Sequence, residues 1–145
     1  MLVLSVAALP SQALACMCRT PDSLETEFKK ASVVVAAEAI SITAGKTAFP
    51  MPNDPNFSMS TQIVEWEVTE AWKGSHTANK KFTTEVVDGS SLCLITVNKG
   101  DVYILYLTEE EPYTISSCSR SRLLKDALKD VPTLYKLSNK IRRRT

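Results

Sequence analysis

The sequence predicts a mainly β protein: a small closed barrel of five to six strands, with a short helix at each end and disulfides as staples. Three observations carry this. Short β-branched and apolar stretches alternate with turn signals through the middle of the chain, and helical spacing is confined to the ends. Four cysteines, an even number, sit in a chain that reads as exported. At 145 residues, 44% hydrophobic and 23% charged, the chain has the size of one domain with a real but modest core.

Residues 1–15, "MLVLSVAALPSQALA", carry no charge. Leu2 to Leu9 is a short apolar run, Pro10 breaks it, and Ala13-Leu14-Ala15 forms a small-x-small cleavage site. This is the pattern of a signal peptide, with a buried N-terminal strand as its rival. The run is too short to span a bilayer and no later segment is longer, so no stable membrane span is expected. The expectation is secretion or a periplasmic location, with the mature chain beginning at Cys16.

The body follows as residues 16–131. "TPDSLETEFKKA" predicts a short helix with Asp22 as N-cap, Glu25 three residues on, and Leu24 and Phe28 on one face. "SVVVAAEAISI" predicts a long strand, and the proline-rich residues 43–60 a long exposed loop. In "QIVEWEVTEAW", Val64, Trp66 and Val68 alternate with Glu65, Glu67 and Thr69, the clearest strand pattern in the chain. "WKGS" turns, "KKFTTEVV" is a strand, "DGSS" turns, and "LCLITV" is a strand carrying Cys93. "NKG" turns into "DVYILYL", and "PYTISSC" is a last strand ending at Cys118. "SRSRLLKDALKDV" has helical spacing, with Leu124, Ala127, Leu128 and Val131 on one stripe, interrupted by Pro132.

Charge is uneven along the chain. Of 17 basic residues, Lys136, Lys140, Arg142, Arg143 and Arg144 fall in the last ten positions, which hold no acid; the remainder has an excess of four acids. Residues 132–145 therefore read as a solvated basic C-terminal tail with room for a second short helix. Trp66, Trp72, Tyr103 and Tyr106 read as core. A nucleic-acid platform of aromatics and lysines conflicts with the acidic body, so no nucleic-acid partner is expected. His76, the only histidine, sits in "KGSHTANKK" and reads as a loop residue. There is no nucleophile paired with a base, no glycine-rich phosphate loop and no metal-ligand cluster, so no enzyme and no cofactor are expected.

The cysteines are Cys16, Cys18, Cys93 and Cys118. One residue between the first two is too few for a usual zinc pair, which favours disulfides. A Cys16–Cys18 bond would close a strained ring, because neighbouring side chains of an extended chain point apart. Each must reach Cys93 or Cys118, and two pairings remain. Either closes loops of about 75 to 100 residues, each worth roughly 4 kcal/mol in the chain-entropy model, and fastens both faces of the N-terminal segment.

The order C-x-C, "VVVAAEAI", "VEWEVTEAWKGS", "SLCLITVNKGDVYILYL" and "SSCSRSRLL" resembles the tissue inhibitor of metalloproteinases family, in its compact single-domain bacterial type with a netrin-like, OB-type barrel. The resemblance covers roughly residues 16–128. Its specific elements are the C-x-C start, the W-K-G turn, the G-x-x-Y strand and the final C-x-R. It implies the pairs Cys16–Cys93 and Cys18–Cys118. It further implies inhibition of a zinc metalloprotease, with the Cys16 amine and carbonyl chelating the target's zinc. Met17 would enter the pocket beside the scissile bond, and Cys18, Arg19 and Thr20 would line the cleft. The zinc is the partner's, not a metal of this chain.

The chain departs from the animal inhibitors in having fewer cysteines, no second domain and Met17 where a small hydroxyl residue is usual. Residues 46–58 lie where members carry a long hairpin. The alternative reading is a non-inhibitory binding or scaffolding module of the cell envelope or exterior. "ALAC" loosely resembles a lipoprotein processing site, and lipidation with N-acylation of Cys16 would abolish the chelating amine. The sequence names neither a target protease nor an oligomeric state.

Overall fold

A computed structural model of the chain describes residues 22–45, 49–51, 54–87, 95–108, 113–115 and 118–144. The expected signal peptide, the segment Cys16–Thr20, the "DGSS" turn and Cys93 lie outside the described residues. Around a six-stranded sheet are arranged helices α1 (Leu24–Lys30) and α2 (Val131–Arg142). The sheet strands are β1 (Val33–Ala44), β4 (Thr61–Lys73), β5 (Lys81–Val87), β6 (Val102–Leu107), β7 (Tyr113–Thr114) and β8 (Arg122–Leu123). Residues expected as loop form a separate hairpin, β2 (Phe49–Met51) against β3 (Asp54–Met59). Proline is tolerated there because a two-stranded ribbon is all edge, so a missing N–H need not break a ladder.

The sheet order is β7-β5-β4-β1-β6-β8. Five strands, from β5 to β8, pair antiparallel, and β7 joins β5 in parallel at one edge. Pairing among the described residues does not close the sheet. Its two edges, β7 and β8, nevertheless belong to one stretch of chain, residues 113–123. The expected strand over 112–118 shrinks to Tyr113–Thr114, and residues 95–97 are not in a strand. Instead the carbonyl of Thr96 accepts the Tyr103 hydroxyl at 2.8 Å, while the Val97 side chain is buried.

Two cores sit on the two faces of the sheet. Val33, Val35, Ala37 and Ala39 of β1 face one core with Trp66, Phe82 and Leu105; Val34 and Ala36 face the other with Ile104 and Tyr106. Alternate residues of a strand point to opposite faces, so a strand covered on both sides needs an uninterrupted apolar run, as "VVVAA" supplies. On the first face, Val64, Trp66 and Val68 are buried as their alternation predicts. Trp66 meets Tyr103 edge to face at 5.7 Å and donates its Nε1–H to Thr84 Oγ1 at 2.8 Å. The second face is roofed by Leu24 and Phe28 of α1 and Leu134 of α2.

The helix ends differ from expectation. The cap of α1 is Ser23, whose Oγ accepts the Thr26 N–H at 3.2 Å; Asp22 forms an ion pair with Lys30 instead. The predicted helix over 119–131 is absent. Residues 122–123 are held extended against β6, and two 3-10 turns follow, Leu124–Asp126 and Leu128–Asp130. The period-3 turns share the i, i+3 spacing that suggested a helix, so Leu124 and Ala127 still pack inward, but Leu128 is thrown out, 61% exposed. Pro132, read as an interruption, lies in the first turn of α2, where its missing N–H breaks no helical bond. The second short helix for which the sequence left room is present as α2, a twelve-residue helix anchored by Leu134 and Ser138.

Candidate functional site

The expected site is the segment Cys16, Met17, Cys18, Arg19 and Thr20 with Cys93, all outside the described residues. The structure does describe what that segment leads into. Cys118 is disulfide-bonded, and its partner lies outside the described residues. Two residues further on, Arg120 Nη1 donates to the carbonyl of Asp22 at 3.2 Å, across 98 positions of sequence. The same guanidinium donates through Nη2 to Asp130 Oδ2 at 3.3 Å, and Arg122 Nη2 donates to that oxygen as well. Asp130 is buried at the entry to α2, so one carboxylate draws together the root of the N-terminal segment, the stretch after Cys118, and the last helix.

Local sequence explains how this cluster forms. Extended backbone at β8 puts Arg122 beside β6, and the Ser121 side chain turns inward, where its Oγ accepts the Tyr106 N–H at 2.9 Å. Ser119 Oγ accepts the Ser121 N–H at 3.1 Å and tightens the turn. Two cations share one anion, and both Arg Nε atoms are buried without a partner. The Tyr106 hydroxyl beside them is also buried and unpartnered. Burial, and then the Asp130 carboxylate, push its pKa up to about 12, with Arg120 and Arg122 opposing. Arg120 lay within the C-x-R element of the sequence; Tyr106 was legible only as core, and Asp130 carried no pattern that marked it.

The W-K-G turn proves to be built for support, one residue at a time. Trp72 is buried in the second core. Lys73 Nζ donates to the carbonyls of Phe28 at 2.8 Å and Lys29 at 3.0 Å, satisfying the end of α1, and burial lowers its pKa. Gly74 has φ +92, and a Cβ there would lie 2.7 Å from the Ser32 carbonyl oxygen. A side chain is excluded twice over, by conformation and by contact.

His76 lies in the loop between β4 and β5 as expected, but it does not face solvent. It is buried, edge-on to Phe82 at 5.1 Å and Tyr113 at 5.7 Å, with Nε2 3.5 Å from the Tyr113 hydroxyl. A cavity of about 410 Å3 beside it is lined by Trp72, Lys73, Ser138 and Arg142. Among the described residues no group of three or more His, Cys, Asp or Glu side chains converges as a metal site, and no helix is long and apolar enough to cross a membrane. No protein-family model matches the chain, and no curated protein matches it.

Proposed function

We propose that the chain is an exported protein inhibitor of zinc metalloproteases, of the tissue-inhibitor type, acting through the backbone of its mature N-terminus at Cys16. The observation that carries the reading is the fastening of Asp22 by Arg120, two residues beyond a disulfide-bonded Cys118. A chelating terminus must be held still, and a wedge fixed before binding loses little entropy on docking. The pairs Cys16–Cys93 and Cys18–Cys118 would complete that fixation. A netrin-like barrel is supported by the strand pairing: β5 and β6 each pair with one end of the stretch 113–123, which is how a fifth strand closes such a ring.

The chemistry asked of the terminus is modest. An α-amine has a pKa near 8, roughly two to three units below a lysine, so it is readily deprotonated to bind a metal. A catalytic zinc keeps an open position for such a ligand. Met17, flexible and apolar, suits an apolar pocket. Arg19 and Thr20 would lie along the cleft beside Cys18.

Intact mass and N-terminal sequencing of the exported protein, followed by assay against a panel of zinc proteases, test this. The expected result is an unmodified chain starting at Cys16 that inhibits at least one protease and loses inhibition when one alanine is added before Cys16. Unchanged inhibition by the extended form would overturn the chelation. An acylated Cys16, or no inhibition across the panel, would favour the envelope binding module.

A further inference from the structure

We propose that the outer face of α2 is a docking surface for an anionic phospholipid membrane, a role independent of protease inhibition. Lys136, Asn139, Lys140, Arg143 and Arg144 line one shallow depression of about 380 Å3 that includes no acidic side chain. Positions 136, 140 and 143 are related by i, i+4, i+7 and so share one face of the helix. That face is fixed outward because Leu134 and Ser138 bury the opposite one.

Among the described residues, the ion pairs of Lys30 with Asp22 and of Arg120 and Arg122 with Asp130 lie away from this face. Complementing the helix dipole explains a cation in the last turn, but not Lys136 in the middle of the helix. Since the rest of the chain has an acidic excess, these side chains also give the molecule a polarity that orients it toward a negative surface.

The neighbours of the patch favour lipid over nucleic acid. A cluster of four cations on one face of an amphipathic helix is the pattern that meets anionic headgroups. A nucleic-acid platform needs a free aromatic face away from acids. Tyr135 instead packs edge-on against Trp72 and donates its hydroxyl to Glu70, so its ring is not free to stack on bases.

Co-sedimentation of the full chain, shown by mass to carry no lipid, with vesicles of phosphatidylcholine alone or with one third phosphatidylglycerol tests the proposal. Binding is expected only to the anionic vesicles, falling with salt. The double variant Lys136→Gln/Lys140→Gln should weaken it about thirtyfold, taking about fivefold per surface charge. The control Lys125→Gln/Lys129→Gln removes the same charge from exposed positions elsewhere and should change it less than about twofold. Equal losses in the two double variants, no binding to anionic vesicles at low salt, or displacement from vesicles by a single-stranded oligonucleotide would each overturn it. All substituted side chains are exposed, so circular dichroism should show an unchanged fold.

Discussion

Tyr106 is the residue whose environment most directly predicts a measurement. Its hydroxyl is buried without a partner, and its pKa is raised from the usual 10.0 to about 12, by burial first and Asp130 second. A raised pKa means the folded state keeps the proton that the unfolded state releases. Stability is therefore unaffected by this group below pH 10 and is lost as pH rises to about 12, by roughly 2 to 3 kcal/mol in all. Thermal unfolding of wild type and Tyr106→Phe across that range should show the steeper loss in wild type. At neutral pH the Phe variant should be as stable or about 1 kcal/mol more so, since it removes an unsatisfied polar atom from the interior. Gly74 predicts the opposite sign: Gly74→Ala must both adopt φ +92 and displace the Ser32 carbonyl, and should lose about 2 kcal/mol in denaturant titration.

At the scale of elements, the helix that closes the second core carries the next prediction. Leu134 is fully buried and is the main apolar contact that α2 sends into the space between Trp72, Phe28 and Ile104. Leu134→Ala should cost about 2 to 5 kcal/mol and lower the midpoint of cooperative unfolding, as truncations of buried leucines do. The sequence disclosed α1 and the strands β1, β4, β5 and β6, because their periodicity is local and strong. It misled at 119–131, where a spacing shared by α and 3-10 helices was resolved by tertiary pairing of Arg122 and Leu123 with β6. After Pro132 it left room for a helix without fixing one, because a basic composition masks the few inward side chains that hold it. Of the candidate site, Cys118 and Arg120 were legible as part of a motif. Tyr106 was legible only as core and Asp130 not at all, because their importance comes from contacts with residues distant in sequence, which no local pattern records.

For the whole molecule, the question under the inhibitor reading is how rigidity would reach the proposed N-terminus at Cys16. The proposed disulfides would restrain that segment covalently, and the Arg120–Asp22 and Arg120–Asp130 bonds hold Asp22, at its root, without covalent help. These two devices should separate experimentally. Arg120→Gln keeps a planar donor but loses the charge that binds Asp130, leaving Arg122 to neutralise that carboxylate. The fold should then survive, with a stability loss of about 1 to 2 kcal/mol measured in urea, because no buried charge is left alone. If the inhibitor reading holds, the looser root must be ordered at binding, so the variant should dissociate about tenfold faster from its target with little change in association rate. Surface-based kinetics on the first protease found to be inhibited checks this. A parallel loss in Leu134→Ala, matched for stability, would show that global loosening rather than the root of the segment sets the rate. An effect confined to Arg120→Gln would tie affinity to the one guanidinium that joins the start of the described chain to its last helix.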